Sequence, residues 1–365
     1  MASKKRTLKA TTKNDLITYA MLAVMFIVVQ ILQATGSMSS LFTGLLVPLC
    51  TYSIMAVSLN LVVGILGDLS LGHAGFMCVG AYISAFFSVT FEETIQPDWL
   101  RFLIALLLGG ICAGICGLLI GIPVLRLKGD YLAIVTLAFG EIIKNIVNLL
   151  YVGIDENGLH VSLESTNALG LSENGEVLIK GALGITGTPR DSTFLIGFIL
   201  LVITVFVSLN LIHSRTGRAV MSIRDNRIAA ESVGINVTKY KLIVFTVSAF
   251  FAGIAGVLYA HNLASLTATT RNFGYNMSIT ILVFVVLGGI GSTRGSIIAA
   301  IILTALPEVL REFDSYRMLI YSIVLILMML ANNNEKINVF KEKISIMNLL
   351  QNKKRGNKLD KEANS

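Results

Sequence analysis

The sequence predicts an all-α, polytopic membrane protein. Apolar residues make up 54% of the chain and charged residues only 14%, whereas a soluble globular chain is about a quarter charged. The apolar residues form blocks of roughly 18 or more, the length that a helix needs to cross a bilayer. Alternating segments of the kind that build transmembrane β-barrels are absent, so the blocks predict spanning helices.

The apolar blocks indicate about ten spans. They lie near residues 16–35, 42–63, 74–90, 102–124, 131–151, 193–213, 242–262, 277–290, 297–310 and 317–331. The first block follows a basic segment, 1–15, without a clear cleavage site, so we interpret it as an uncleaved first helix rather than a signal peptide. The predicted membrane domain is 16–331, and a basic tail, 332–365, follows it.

The distribution of charge predicts which side of the membrane each loop faces. The net charge of +7 comes mainly from the two tails and from the loop 214–241, the pattern expected of cytoplasmic segments. The loop 152–192, rich in Asp and Glu, is then placed outside. Both termini are predicted to be cytoplasmic, and membrane lipid rather than nucleic acid accounts for the basic segments.

Two stretches are interrupted by glycine. The blocks 277–290 and 297–310 are each shorter than the roughly 20 residues of a span, which indicates a broken or re-entrant pair. Residues 60–80 are interrupted in the same way, at the corresponding place in the first half of the chain. This correspondence favours a weak internal repeat and a translocation path lined by irregular backbone. The glycines predicted to line it are Gly64, Gly67, Gly288, Gly289 and Gly291.

Charged residues inside the apolar blocks are functional candidates, because charge at membrane depth is costly. Asp68 and His73 lie between the glycines of the first break. They form either a proton or substrate site or, as we favour, a cap for exposed backbone groups. Glu141 and Lys144 are one helical turn apart, and a mutual structural pair and a substrate site are equally compatible with that spacing.

The motifs of catalysis are missing. The sequence contains no phosphate-binding G-x-x-x-x-G-K-[ST], no H-E-x-x-H and no nucleophile elbow. Its four cysteines lie inside apolar blocks, where they are read as packing residues rather than metal ligands or disulfides. We therefore expect a protein that is not an enzyme by itself and that binds no metal or cofactor.

Two loops have features of docking surfaces. The loop 214–241 is basic, and its centre, Ile223 to Ile235, is predicted to form a short helix, which suggests a docking element. The outer loop 152–192 ends in the turn-rich sequence KGALGITGTPRD. A loop of that length without regular structure is either solvated surface or a functional lid and landing site for an extracytoplasmic protein.

Several of these stretches, in this order, resemble the LivM-type permease subunits of bacterial branched-chain amino acid ABC importers. The resemblance covers roughly residues 45–330. The stretches that carry it are SLNLVVGILGDLSLGHAGFMCVGAY (58–82), RLKGDYLAIVTLAFGEIIKNI (126–146), GITGTPR (184–190), SRTGRAVMSIRDNRIAAESVGIN (214–236) and SITILVFVVLGGIGSTRGSIIAA (278–300). Any one of them alone would be a weak signal.

The resemblance implies a role for the loop 214–241. In such permeases a short cytoplasmic helix fits a groove of the ATPase subunit, with small residues at the contact and a glycine at the turn that follows. The pattern falls on Ala229, Ala230, Glu231 and Gly234, flanked by Arg224 and Arg227 that would pair with acidic groups of the ATPase. The residues after Gly234 depart from the fullest form of the pattern.

The resemblance also implies an assembly in the bacterial cell membrane. A second, related permease would form a heterodimer with this chain, two ATP-binding subunits would hydrolyse ATP with Mg, and an extracytoplasmic binding protein would deliver leucine, isoleucine or valine. An importer of urea or short amides is an alternative of the same class. An ion-coupled secondary transporter that uses Asp68, His73 or Glu141 as a relay is an alternative of another class.

Overall fold

The computed structural model describes residues 10–36, 39–127, 129–156, 158–172, 175–311, 316, 319–320 and 322–326. The chain divides into one unit of residues 1–305 and a second of residues 306–365. The tail 332–365, most of the predicted basic N-terminal segment and most of the last predicted span lie outside the described residues.

Helices dominate the described residues. Their bounds are α1 (Ala10–Ala34), α2 (Ser40–Asn60), α3 (His73–Thr90), α4 (Asp98–Val124), α5 (Asp130–Leu149), α6 (Phe194–His213), α7 (Arg215–Asp225), α8 (Arg227–Ser232), α9 (Val237–Ala260), α10 (Tyr275–Gly288) and α11 (Thr293–Val309). Seven of the described helices, α1 to α6 and α9, are long and apolar enough to cross a membrane. The predicted polytopic helical class is confirmed, and the count of about ten spans and the internal repeat remain predictions.

Helix α9 is the centre of the first unit, where it packs against α2, α3 and α4. Glycines make this close approach feasible. A Cβ at Gly80 in α3 would collide with the backbone of Gly253 in α9, and a Cβ at Gly117 in α4 would lie 2.5 Å from Ala249 Cβ. Gly80 and Gly117 therefore allow α3 and α4 to pack closely against α9.

A five-stranded antiparallel sheet follows α5, so the prediction of an all-α chain is wrong here. The strands are β1 (Tyr151–Asp155), β2 (Gly158–Ser162), β3 (Glu176–Lys180), β4 (Ile185–Thr186) and β5 (Ser265–Leu266), in the order β2-β1-β3-β4-β5. The strands are short, and β5 pairs with β4 from about 80 residues further along the chain. Local sequence patterns do not reveal such a distant partner.

His261 is buried just beyond the end of α9, beside Ser88 and Phe102. Its Nδ1–H donates to the Val257 carbonyl at 3.0 Å, and its Nε2 accepts from the Ser88 hydroxyl at 2.8 Å. Burial lowers the pKa of His261 below its ordinary value of 6.5, although the Val257 carbonyl and Asp191 act in the opposite direction. The imidazole is therefore neutral at neutral pH.

We expect the stability of the protein to fall in acid partly because of His261. The pKa of His261 is lower in the folded than in the unfolded protein. The contribution of His261 to the free energy of unfolding is therefore present above the unfolded pKa of 6.5 and is lost as the pH falls through the folded pKa. The amide of His261→Gln keeps both kinds of hydrogen bond without titrating. The thermal unfolding midpoint in detergent, measured from pH 7.5 to 5, should fall more for the wild type than for the variant. Parallel curves would show that His261 contributes nothing to the acid sensitivity.

Substitution of Gly80 tests the glycine contact in the core. A methyl group in Gly80→Ala meets the backbone of α9, and overpacking of this kind costs about 1–3 kcal/mol. Gly44→Ala is the matched control, because nothing lies within 4 Å of a Cβ at Gly44. The unfolding midpoint should fall for Gly80→Ala and should stay level or rise for Gly44→Ala. Equal midpoints would contradict the close α3–α9 contact.

Candidate functional site

The basic loop 214–241 forms α7, α8 and the first turn of α9. Ser214, Asn226 and Asn236 start these helices, each accepting a hydrogen bond from the backbone N–H three residues later, at 3.1, 3.0 and 3.1 Å. The prediction of one helix over Ile223 to Ile235 is wrong. Asn226 adopts an extended backbone conformation that ends α7 and caps α8.

Helix α8 buries one apolar residue, whereas one large apolar residue on the helix and one directly after it are exposed. Ala230 is only 2% exposed and packs against Ile223 and Val237. Ile228 and Val233 are 80% and 75% exposed. A contact of Ala230 with another protein is therefore not available in this conformation, and Ile228 and Val233, which the sequence analysis missed, form the outward apolar surface. We call Ile228 and Val233 the α8 surface.

The other residues of the predicted docking pattern surround this surface. Ala229, Arg227, Glu231 and Gly234 are accessible. The Arg227 Nε donates to a Glu231 carboxylate oxygen at 2.9 Å. Gly234 has a φ of +86°, and its N–H donates to the Glu231 carbonyl at 3.0 Å. Gly234 thus follows α8 in the left-handed backbone conformation, which residues with a side chain rarely adopt.

Arg224 is exposed, with 39% of its side chain accessible, yet its guanidinium bonds back to the chain. Its Nη1 donates to the Gly64 carbonyl at 3.1 Å, while its Nε and Nη2 donate to Asp225 at 3.1 and 3.0 Å. Its aliphatic stem lies against Gly67, where a Cβ would be 2.6 Å from Arg224 Cγ. The loop and the first predicted helix break are therefore in direct contact.

The second predicted break separates α10 from α11. Gly289 and Gly291 have φ values of +93° and +83°, which favour glycine. The backbones of Gly288 and Gly295 are in contact, so neither position has space for a side chain. The prediction of a broken helical pair at this point is confirmed.

The two breaks touch each other. Residues 61–66 form a π-helical turn that ends at Gly67, whose φ is +82°. A Cβ at Gly64 in this turn would lie 2.6 Å from the Gly291 Cα. The Gly291 N–H donates to the Asn60 side-chain oxygen at 2.9 Å. The structure therefore brings together Gly64, Gly67, Gly291 and Arg224, which the sequence analysis had assigned to two separate sites.

Asp68 and His73 have different partners. Asp68 forms an ion pair with Lys241 of α9 at 2.5 Å, and its carboxylate does not cap α3, which begins without a side-chain cap. The buried His73 Nε2 lies 2.7 Å from the Ser58 hydroxyl. The favoured capping interpretation is wrong, because Lys241, distant in sequence, competes for Asp68.

Glu141 holds the start of α10. One carboxylate oxygen accepts the Tyr275 backbone N–H at 2.7 Å, and the other pairs with Lys144 at 2.5 Å. Lys144 also donates to the Thr270 hydroxyl at 3.3 Å. A carboxylate is stabilised at a helix N-terminus. The geometry thus favours the structural interpretation of this pair, away from the contact between the breaks.

Sequence analysis did not identify four residues of the site, which are Ile228, Val233, Lys241 and Asn60. Asn60 carried a signal, since it is an amide inside an apolar block. Lys241 was counted only as one of several loop charges. The exposure of Ile228 and Val233 depends on how α8 lies against Ile223 and Val237, which a sequence does not display.

The long apolar helices of the described residues are those of a multi-pass membrane protein. Residues 41–331 match the family described as "Branched-chain amino acid transport system / permease component". The chain belongs to this family. No solved structure gives a significant match.

Individual relatives are also permeases. The chain is 36% identical over 289 residues to the "High-affinity branched-chain amino acid transport system permease protein LivM" of Salmonella typhimurium and of Escherichia coli; the alignment covers 76% of this chain and 66% of each relative, slightly less than two thirds of their length. It is 26% identical to the permease protein LivH of Salmonella typhimurium, over 69% of this chain and 79% of LivH. It is also 26% identical to the "Ribose import permease protein RbsC" of Escherichia coli, over 78% of this chain and 83% of RbsC.

Removing Glu141 tests its structural role. Glu141→Ala leaves Lys144 inside the protein without its carboxylate and α10 without its acceptor, which should cost on the order of 3 kcal/mol. Glu231→Ala, which breaks the exposed pair with Arg227, should cost less than about 1 kcal/mol. Unfolding in detergent measures both. If Glu141→Ala is as stable as Glu231→Ala but loses transport, the substrate interpretation replaces the structural one.

Proposed function

We propose that this chain is the permease subunit of an ATP-binding cassette importer that moves leucine, isoleucine and valine into the cell, driven by separate ATPase subunits. Its membership of the permease family supports the class. The 36% identity to LivM over 76% of the chain supports the substrate. The chain itself is not proposed to be an enzyme, in keeping with a sequence that lacks the phosphate-binding loop.

The observation that carries the proposal is the α8 surface. Helix α8, six residues long, exposes Ile228 to 80%, and Val233, which follows its last residue, is exposed to 75%. Two largely exposed aliphatic residues on one short segment of a polar loop are candidates for an interaction surface. The surrounding accessible charges, Arg227 and Glu231, provide a polar rim. Such a short, capped helix fits a groove on an ATPase subunit.

The orientation of the chain follows from the same assignment. With the loop 214–241 and both termini in the cytoplasm, about ten spans place the basic loops inside. The membrane domain is then 16–331, and the tail 332–365 lies near anionic lipid. The sheet that follows α5 lies outside. This topology places the contact between the two glycine breaks on the cytoplasmic side of the translocation path.

The remaining partners are a second permease and a binding protein. Similarity to both LivM and LivH, two permease proteins named for branched-chain amino acid transport in Salmonella typhimurium, supports a heterodimer of related permeases. Strand β2 is an edge strand of the outer sheet, and its Leu159 and Val161 are both 56% exposed. These side chains, two residues apart, share one face and offer a landing surface for the binding protein.

The ion-coupled alternative is disfavoured by the partners of its relay candidates. Asp68 pairs with Lys241, His73 with Ser58, and Glu141 with Lys144. A relay group must exchange its proton with the path, whereas these groups are engaged in contacts within the chain. The similarity to LivM favours branched-chain amino acids over urea or short amides.

A charge on the α8 surface should prevent docking. We expect Ile228→Asp and Val233→Asp to insert normally but to lose co-purification with the ATPase subunits by about tenfold or more, because a buried, unpaired carboxylate opposes the contact. Thr238→Asp is the matched control, since Thr238 is exposed in the first turn of α9 but outside α8. Wild-type amounts of ATPase with both α8 variants would overturn the docking role.

Uptake by reconstituted protein tests the function itself. Proteoliposomes containing both permeases and the ATPases, with binding protein outside, should accumulate labelled leucine only when ATP is inside. Uptake by this chain alone that collapses with the ion gradient would instead establish the secondary transporter. ATP-driven uptake of urea but not leucine would correct the substrate and leave the class unchanged.

A further inference from the structure

The carbonyl of Gly64 needs a hydrogen-bond donor from another part of the protein. The last carbonyls of a helix have no N–H groups ahead of them, and residues 61–66 end such a helix, with Gly67 turning the chain away. At membrane depth, unsatisfied carbonyls are costly. The guanidinium of Arg224, 160 residues further along, supplies the donor at 3.1 Å. An element outside the spans thus satisfies the backbone of the break.

The other side of the same turn faces the second break. A Cβ at Gly64 would lie 2.6 Å from the Gly291 Cα, so the two backbones are in contact without side chains between them. Gly64 is therefore bonded to Arg224 through its carbonyl and contacts the backbone of Gly291. A displacement of Arg224 acts directly on the contact between the breaks.

A second link runs parallel to the first. Lys241, whose side chain is 8% exposed, pairs with Asp68 just after the break. Arg224 lies in the last turn of α7 and Lys241 in the second turn of α9, so the two donors lie on either side of α8 in sequence. A pocket of about 480 Å³ is lined by both donors and by Gly67 and Ile228. The loop thus has two attachments and unfilled space between them.

The α8 surface is connected to Arg224 by a short, ordered path. Asn226 alone separates α7 from α8, and its side chain caps α8. Ala230 of α8 packs against Ile223 of α7. Because packed helices of this kind move together rather than deform, a force on Ile228 or Val233 is passed to the end of α7.

We propose that Arg224 is the positioning residue that transmits movement of α8 to the contact between Gly64 and Gly291. This inference rests on the proposed function. When the ATPases displace α8, Arg224 pulls or releases the Gly64 carbonyl, and the two glycine breaks separate or close. The Lys241–Asp68 pair holds the far end of the break while this happens.

The test uses the full reconstituted complex. Arg224→Met keeps the aliphatic stem on Gly67 and removes the donors, and Arg224→Lys restores one donor. Arg218→Met is the matched control, because Arg218 lies on α7 but donates to the nearby His213 carbonyl. We expect Arg224→Met to assemble and hydrolyse ATP, while leucine transported per ATP falls about tenfold. Arg224→Lys should recover part of this ratio, and Arg218→Met should match the wild type.

A labelling measurement separates transmission from a merely structural role. Ile290, 60% exposed between Gly289 and Gly291, is replaced by cysteine in a background without the four natural cysteines. Its reactivity with a maleimide should change with ATP in the wild type and Arg218→Met, but not in Arg224→Met. Two results would overturn the inference. One is an Arg224→Met complex with the transport per ATP and the labelling change of the wild type. The other is an Arg224→Met variant that does not assemble, if Arg224→Lys does not restore assembly.

The proposed function and this inference fail in different ways. A wild-type complex without ATP-dependent uptake contradicts the proposed function. A wild-type complex with such uptake, together with an Arg224→Met complex that couples normally, contradicts only the role of Arg224.

Discussion

The backbone groups released by a broken helix must find partners inside the protein, because a bilayer offers none. At the first break the Gly64 carbonyl accepts a hydrogen bond from Arg224. The side-chain oxygen of Asn60 accepts one from the Gly291 N–H. These bonds require the loop, the first break and the second break to be in contact. The glycines at the contact are then fixed by space, since a Cβ at Gly64 would meet the backbone of Gly291. The contact between the loop and the two breaks thus satisfies the end of the first broken helix.

The charges within the membrane domain act mainly on architecture. The Glu141–Lys144 pair holds the start of α10, and the Lys241–Asp68 pair fastens α9 to the end of the first break. Neither pair is a free relay group. In contrast, the α8 surface has no partner within the part of the chain that the structure describes, because Ile228 and Val233 are largely exposed. The chain thus bonds its own breaks internally and leaves the aliphatic side chains at α8 exposed.

Hydropathy alone predicted the helical class and the approximate positions of the seven long spans, since apolar length is a local property. The broken pair at Gly289 and Gly291 was also predictable, because glycine spacing and short apolar blocks are local signals. The sheet was missed, because β5 joins it from a distant segment. The partners of Asp68 and of Arg224 were missed for the same reason, as each lies more than 150 residues away. Burial of Ala230 depends on tertiary packing, so sequence placed it with the docking residues.

The central claim is that α8 receives movement from an ATPase and passes it to the contact between the two breaks. Electron cryo-microscopy of the complete complex, with and without ATP, measures this directly. We expect α8 to lie in a groove of the ATPase in both states, with the distance between Gly64 and Gly291 differing between them and Arg224 following the Gly64 carbonyl. A solvent-exposed α8, or an unchanged Gly64–Gly291 distance while access switches from one side to the other, would contradict the account.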